Sequence, residues 1–516
     1  MSRRWYEDLQ HPHPFVLHEK IELHARIRCI KPFPDIWSNN IDNVLPSVWA
    51  NTKLFDPELA QQLQFRSLDP ILWKEMIDLF KNALVVADDQ RINIIWPSGS
   101  TRSVQIELRE LSQPQVVPHD KVNVAWALSP HKPYEPMVIF SYCRLVYIFN
   151  ARMRVLEGCL RGHGGEITSI VVHPHAAHIF CTTSRDFSSR LYDLTREPQL
   201  QANNPHWPPF KKPSFAGPSH GLDMSIEEGE GIGRCALVLV GGRSGGHAGE
   251  VFGAAFHDTH PVIATCGMDR AIKIWHIPPF SNRLEQRLLR EDKPLFSSSS
   301  VHKARVLSVN WLSRDILLSH SAPARMFVLP ESSTSVKTSP ESTDSKQFGP
   351  DEPGSLSLWK WLSIDRFFPS DWDKAASRQV RLNPFKGAYQ ESISFKILSN
   401  YLFPPQIDQF ITPTLYVCRG GSLPFVIYSY PHTQSLTIVN IALLKRRLLP
   451  PPLPGKSHSS DLWRHDEQIQ GWNLALDDSL GREETVETCA MISGSSAIII
   501  IGGSRGSFCV FSGNST

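Results

Sequence analysis

An excess of charge of either sign is missing from this 516-residue chain: 53 Lys and Arg stand against 51 Asp and Glu, a net charge of +2. Nucleic-acid binders usually carry a basic stripe, so no direct sequence-specific contact with nucleic acid is expected. Long apolar runs are missing too. Residues 497–501 form one of the longest, far short of the roughly 20 needed to cross a bilayer, and no membrane span is expected. The first ten residues are charged and aromatic and hold no apolar core of a signal peptide, so secretion is not expected. The nine cysteines are scattered with no C-x-x-C pair, which speaks against a structural zinc site and against a disulfide framework. H-E-x-x-H, the phosphate-binding loop and the dinucleotide fingerprint are absent. The glycines between Gly241 and Gly246 look like a phosphate cradle, but no Lys-Ser or Lys-Thr pair follows. No catalytic residue, metal or cofactor is therefore assigned, and an enzyme is not expected.

The composition that remains, 41% hydrophobic and 20% charged, is that of a soluble globular protein. Its organisation shows in a repeat. One unit runs from Gly162-His163 through Thr182, Ser184 and Asp186 to Tyr192-Asp193, and a second from Gly246-His247 through Thr265 and Asp269 to Trp275. The step from His to Asp is 23 residues in the first and 22 in the second, and from Asp to the aromatic it is six in both. Apolar alternation marks 167–172 and 251–256 as one strand, 179–183 and 262–266 as the next, and 189–192 and 271–275 as a third. Such a unit is a four-stranded blade of a WD40-type propeller. In it a buried hydrogen-bond chain is expected to tie Trp275 to Thr265, His247 and Asp269, with His163, Thr182 and Asp186 as its counterpart in the other copy. Two copies of one His–Asp pair at blade spacing point to structure, because an active site needs one convergent constellation.

An aromatic or apolar residue closes a β-rich run at Trp96, Phe149, Tyr192, Trp275, Leu329, Tyr428 and Phe511. Seven blades follow, and the fold class expected is all-β, a seven-bladed propeller occupying 83–516. Long loops are expected at 196–233, 331–356 and 450–480, where Pro, Gly, Ser, Thr and Asn gather. Residues 1–82 are read as an N-terminal extension. In it Asp56-Pro57 and Asp69-Pro70 look like helix starts, with Leu72, Met76, Leu79 and Phe80 on one helical face. The stretch 21–37 is the candidate for a strand that closes the ring, since an open propeller would expose two sheet edges.

The block Cys266-Gly267-Met268-Asp269 followed by Lys273-Ile274-Trp275 resembles a blade of the Polycomb WD40 family of extra sex combs and embryonic ectoderm development (EED). Gly162-His163-Gly164 with Ile167 and His173-Pro174, and the run Val309-Asn310-Trp311-Leu312 with Asp315 to Ser319, are similar to neighbouring blades in the same order. The similarity covers about 122–194 and 247–329. The resemblance implies a noncatalytic scaffold subunit of Polycomb repressive complex 2, acting in the nucleus with a SET-domain histone methyltransferase and other subunits of that complex. In that family one face of the propeller holds a helix of the methyltransferase in a groove. Near the central channel an aromatic cage reads a trimethylated lysine of the histone H3 tail by cation–π attraction.

Set against that pattern, Val122 stands where a cage tyrosine is expected. The sixth blade is expected to bring Phe395 to a cage position with Ser394 at its aromatic neighbour, and Trp37 is the candidate from the first blade. The expectation is a retained scaffold with weakened trimethyl-lysine readout. The competing reading is a WD40 adaptor of another assembly, a ubiquitin ligase or a trafficking coat. The Cys266 to Trp275 block with Trp311 favours the Polycomb reading, and no F-box is visible.

Overall fold

The structure is a computed structural model that describes the chain except residues 1–4, 8, 24, 39–46, 65–67, 98–102, 112–121, 200–226, 242–244, 281–287, 326–350, 371, 373–389, 405–411, 419–424, 432, 445–466, 477–479, 481–482, 494–496 and 514–516. The described strands form seven sheets, each built on four consecutive antiparallel strands, so the chain is a seven-bladed propeller. From inner to outer strand, blade one is Ile27–Pro32, Leu84–Asp88, Arg91–Ile95 and Ser103–Glu107. Blade two is Val124–Ala127, Met137–Tyr142, Leu145–Asn150 and Val155–Leu160. Blade three is Ile167–Val172, Ile179–Ser184, Ser189–Asp193 and Arg234–Leu239, and blade four is Val251–Phe256, Val262–Gly267, Ile272–His276 and Phe296–Ser298. Blade five is Val306–Trp311, Ile316–Ser321, Ser355–Trp361 and Phe395–Leu402. Blade six is Thr414–Cys418, Phe425–Ser429, Ser435–Asn440 and Trp472–Ala475. Blade seven is Val486–Ser493, Ala497–Gly503, Ser507–Gly513 and, as its outer strand, Phe15–Glu22 from the other end of the chain.

That last pairing closes the ring: Phe15 lies opposite Gly513 and Glu22 opposite Ser507. The closing strand therefore precedes most of the stretch 21–37 read for that role, and Ile27–Pro32 is instead the inner strand of blade one. The reason is visible in the burial. Phe15 is buried while most of its strand faces solvent, so little apolar alternation marks it, whereas Ile27 and Ile30 are buried in the ring. Residue 82 is accordingly not a boundary between an extension and the propeller. Residues 33–83 are an insertion between the first two strands of blade one, and they carry three helices: α1 (Thr52–Phe55), α2 (Pro57–Gln64) and α3 (Pro70–Phe80).

Both aspartates ahead of the prolines cap helices. Asp56 Oδ1 accepts the Leu59 N–H at 2.9 Å, and Asp69 Oδ1 accepts the Ile71 N–H at 2.8 Å. Each replaces a partner that the first turn of a helix lacks. The buried stripe of α3 is Trp73, Met76, Ile77 and Phe80, one position round from the stripe expected, and Leu72 is left exposed.

Leu329, taken as the close of the fifth blade, lies outside the described residues, as do 200–226, 331–350 and 450–466 of the three long loops. The third strand of blade five comes after the insertion, at Ser355–Trp361, and pairs with Ile316–Ser321 from Ile316–Lys360 to Ser321–Ser355. The strands that follow are displaced by one, so that Tyr428 falls in the second strand of blade six, while Phe511 keeps its expected place in the third strand of blade seven.

A regular pattern ties neighbouring blades. The segment joining the third and outer strands of one blade repeatedly reaches back to the outer edge of the blade before it. Gly229–Gly231, from blade three, adds antiparallel to the outer strand of blade two. Leu289–Glu291, from blade four, adds parallel to that of blade three, and Glu467–Gln468, from blade six, to that of blade five. Blade five reaches blade four by a side chain and a backbone bond: Glu391 accepts the Ser298 hydroxyl at 2.6 Å, and the Ser392 N–H donates to the Ser297 carbonyl at 2.6 Å. The N-terminal segment does the same for blade six, where Trp472 Nε1–H donates to the His11 carbonyl at 2.8 Å and Trp5 stacks on Phe425. Covered edges cannot template further strands.

Candidate functional site

In each blade the inner strand begins beside the end of the second strand, as Ile167 lies opposite Ser184 and Val251 opposite Gly267. The turns after the second strands and the loops leading into the inner strands therefore share one end of the ring, termed here the upper face. The His–Asp pairs lie there. His163 Nδ1 is 2.7 Å from Asp186 and its Nε2 2.7 Å from the Thr182 hydroxyl. His247 Nδ1 is 3.0 Å from Asp269 and its Nε2 2.8 Å from the Thr265 hydroxyl, which also accepts the Trp275 indole N–H at 2.8 Å. An ionised carboxylate can only accept, so Nδ1–H donates to it and Nε2 accepts the threonine hydroxyl.

Electrostatics agree with that direction. Burial alone would raise the Asp186 and Asp269 carboxyls, but the facing histidines and their hydrogen bonds hold both well below the usual carboxylate range. Burial in turn lowers His163, against the pull of Asp186. Each aspartate also fixes the incoming loop, accepting the Gly164 N–H at 3.0 Å and the Ala248 N–H at 2.9 Å. These groups are committed to one another.

Blade five holds a third copy that sequence reading missed. His302 Nε2 is 2.6 Å from the Ser319 hydroxyl, which accepts the Trp359 indole N–H at 3.0 Å. Serine replaces threonine, and the Ser355 hydroxyl lies 3.4 Å from His302 Nδ1, as the Ser188 hydroxyl does from His163 Nδ1. The signal was obscured because the insertion places Trp359 40 residues after Ser319, against 10 between Thr265 and Trp275.

The inner strands of all seven blades line one cavity of about 700 Å³, the central channel. Its upper rim carries ion pairs: Arg26 to Glu487 at 2.7 Å and Arg185 to Glu250 at 3.8 Å join neighbouring blades, while Arg28 to Asp89 at 2.5 Å and Arg185 to Glu166 at 3.1 Å lie within one blade. The rest of the wall is largely hydroxyl and amide, from Thr168, Ser169, Ser308, Thr414, Thr488, Asn123 and Asn310. The Phe, Tyr and Trp residues of the lining are Phe252 and Tyr416. Lys31 Nζ lies 5.8 Å from the centre of the Tyr416 ring, a cation–π contact already made within the chain.

None of the residues considered for a methyl-lysine cage lines this channel. Val122 is buried just ahead of the inner strand of blade two. Trp37 is buried in the core under the helical insertion, edge-on to Phe33 at 5.1 Å. Phe395 opens the outer strand of blade five rather than a strand of blade six, and packs edge-on to Phe296 at 6.1 Å and Trp359 at 6.3 Å. Ser394, beside it, bonds Ser392 at 2.8 Å. Counting blades across the insertion at 331–350 caused the misplacement. The inner strand of blade six, Thr414–Cys418, carries Tyr416.

Among the described residues no three His, Cys, Asp or Glu side chains gather as metal ligands. Ser504 stands in Gly-x-Ser-x-Gly spacing, but it lies in the turn between the second and third strands of blade seven, its hydroxyl accepting the Thr485 N–H at 3.0 Å. A hydrolase nucleophile of that spacing sits on a strand-to-helix turn.

The family model of the WD domain, G-beta repeat, matches residues 154–193 and 239–276, the centre of blades three and four. The Polycomb protein EED of Chaetomium thermophilum is 26% identical over 184 residues, 36% of this chain and 26% of that protein. The chain is a WD40-type propeller whose sequence is similar in part to Polycomb protein EED. The Polycomb group protein FIE1 of Zea mays is 24% identical over 209 residues, 38% of the chain and 37% of the relative. The aligned part thus spans about a quarter to a third of the curated relatives. A chain from the Chaetomium thermophilum Polycomb repressive complex 2 bound to GSK126 superimposes with a TM-score of 0.55 at 14% identity, covering 96% of this chain and 98% of the other. At that identity the superposition speaks for the propeller alone. It extends the likeness from the two matched repeats to the whole ring.

Proposed function

We propose that this propeller is a noncatalytic scaffold subunit of a Polycomb repressive complex 2-like assembly, that it binds a SET-domain histone H3 lysine methyltransferase, and that it works in the nucleus. The observation that carries the reading is the sequence similarity to Polycomb proteins of a fungus and a plant, over 36% and 38% of the chain. Such similarity supports a shared framework, while partners are chosen by surfaces. Trimethyl-lysine readout is weakened. This part is supported by a channel rim of arginine–carboxylate pairs and by a Tyr416 face that Lys31 already occupies. A trimethylammonium cannot donate hydrogen bonds and gains little from carboxylates already neutralised.

The test is purification of the tagged protein from nuclear extract, identification of partners by mass spectrometry and an assay of the eluate for H3 methyltransferase activity. A stoichiometric SET-domain partner with H3 activity is expected. Recovery of a ubiquitin ligase or coat complex without one would replace the reading with that of an adaptor. For the readout, calorimetry with a trimethyl-lysine H3 peptide is expected to give no low-micromolar binding, and such binding would overturn that part.

A further inference from the structure

Lys31 reaches well beyond its own blade. It belongs to the inner strand of blade one and Tyr416 to that of blade six, with blade seven between them, yet Lys31 Nζ comes within 5.8 Å of the Tyr416 ring centre. The ammonium therefore projects across the central cavity in front of Cys489 of blade seven, and all three residues line it. The other charged residues of the lining are paired: Arg28 with Asp89, Arg185 with Glu166 and Glu250, and Glu487 with Arg26. Lys31 is not. Among the described residues no carboxylate stands within ion-pair distance of Nζ, and no oxygen accepts from its three N–H donors. Asp35, a carboxylate within electrostatic reach of Tyr416, faces Lys81 instead. A ring face at that distance is near the outer limit of cation–π attraction, a weaker partner than an anion taking charge-assisted hydrogen bonds.

The cavity also leaves the channel axis. Its walls are inner strands, the loops that lead into them and the turn at Arg185, with one exception: His320, from the second strand of blade five. His320 follows Leu318 by two residues, on the face turned to blade six. The cavity thus reaches it through the seam where Thr412 and Pro413 lead into blade six. The ring is 3% exposed, packs edge-on to Phe403 at 5.2 Å, and has no hydrogen-bond partner at Nε2. Burial holds the imidazole down at about 4, so at neutral pH it is uncharged, with one donor and one acceptor. A buried polar atom left without a partner is costly, and a hydroxyl or amide of a ligand would relieve it.

We propose that the central channel binds a small organic anion, whose carboxylate or phosphate pairs with Lys31 and whose uncharged polar body reaches toward His320. A cavity of about 700 Å³ has room for a ligand of metabolite size. Walls of hydroxyl and amide groups suit such a body, and an ammonium held in mid-channel repels a second cation. The inference rests on the channel walls and not on the methyltransferase reading, so the nuclear purification can fail while this stands.

Saturation-transfer NMR of the full chain at physiological salt tests it, with benzoate, phenyl phosphate and benzyltrimethylammonium as probes. At least one of the two anions should bind saturably with a Kd of about 1 mM or tighter, and the ammonium compound should not compete with it. Lys31→Met should weaken the anion at least about tenfold through the lost charge-assisted hydrogen bonds, while Lys31→Arg should keep the affinity within about threefold. Tighter binding of benzoate would give the ligand a carboxylate head and tighter binding of phenyl phosphate a phosphoryl head, and either supports the site. Acetylation by a soluble N-hydroxysuccinimide ester, read by mass spectrometry, needs no variant to fold. A saturating anion should slow modification of Lys31 at least about threefold and leave the exposed Lys74 unchanged. Equal anion binding by Lys31→Met, no binding of either anion, competition by benzyltrimethylammonium, or a Lys31 left unprotected would each overturn the proposal.

Discussion

Thr265→Val is the sharpest perturbation of the propeller. The side chain is fully buried, and its one hydroxyl serves two partners at 2.8 Å, accepting from the Trp275 indole and donating to His247 Nε2. Valine keeps the shape and strands both. Each stranded group costs about 1–3 kcal/mol, and the methyl gained returns about 1 kcal/mol of apolar burial. The expected loss is about 3 kcal/mol, read as a lower urea midpoint in far-ultraviolet circular dichroism. Thr265→Ser keeps the hydroxyl and gives up one methyl, so it should lose only about 1 kcal/mol. Combining Thr265→Val with Trp275→Phe should cost less than the sum, since the stranded indole N–H is gone. A Thr265→Val protein within about 0.5 kcal/mol of the parent, a margin of ordinary surface substitutions, or one more stable than Thr265→Ser, would refute the account of the chain as a polar relay.

Three further outcomes follow from the same structure. Burial and the neighbouring His320 push His302 down to about 3, and burial pushes His320 to about 4. The unfolded chain takes up these protons from about pH 6.5 downward while the folded chain refuses them, so the urea midpoint should fall between pH 7 and pH 5. His320→Gln should flatten that slope; a level profile over this range would contradict it. The depressed carboxyls of Asp186 and Asp269 add their loss only below about pH 4, as the pH falls toward their folded values. Gly231→Ala should detach the strand laid on blade two, because the backbone there has φ +80° and a Cβ would collide with the Glu157 carbonyl oxygen. A loss of about 2 kcal/mol and fast hydrogen exchange at 229–231 are expected. Phe395→Ala should lower stability by about 2 kcal/mol through its contacts with Phe296 and Trp359, and leave histone-peptide binding unchanged by calorimetry.

The propeller was legible wherever a blade's polar chain and its apolar alternation survive together, as between His163 and Asp193 and between His247 and Trp275. Both signals are local, because a strand has period two and the buried network repeats at fixed offsets. Blade five shows the limit. His302, Ser319 and Trp359 keep the network, but an insertion stretches the spacing that would have revealed it. The same insertion moved Phe395 from an expected inner strand of blade six to the outer strand of blade five. The ring-closing strand was hard to read for a different reason: it buries Phe15 and leaves Val16 and Leu17 exposed, so little alternation marks it. Contacts of the channel rim, such as Arg26 with Glu487, join residues 461 apart, and no local pattern announces them.

The backward-reaching segments give assembly of the ring a direction in time. During synthesis, the arms from blades three, four, five and six each emerge after the blade they grip, so each finds its receiving edge already made. The N-terminal segment is the exception. Trp5 and the strand Phe15–Glu22 leave the ribosome first, yet their partners in blades six and seven are made last. At roughly 5–20 residues per second that strand waits tens of seconds for its mate. A nascent chain arrested before Ser507 should therefore hold several finished blades and a free first strand, and that strand is the one a chaperone would have to guard.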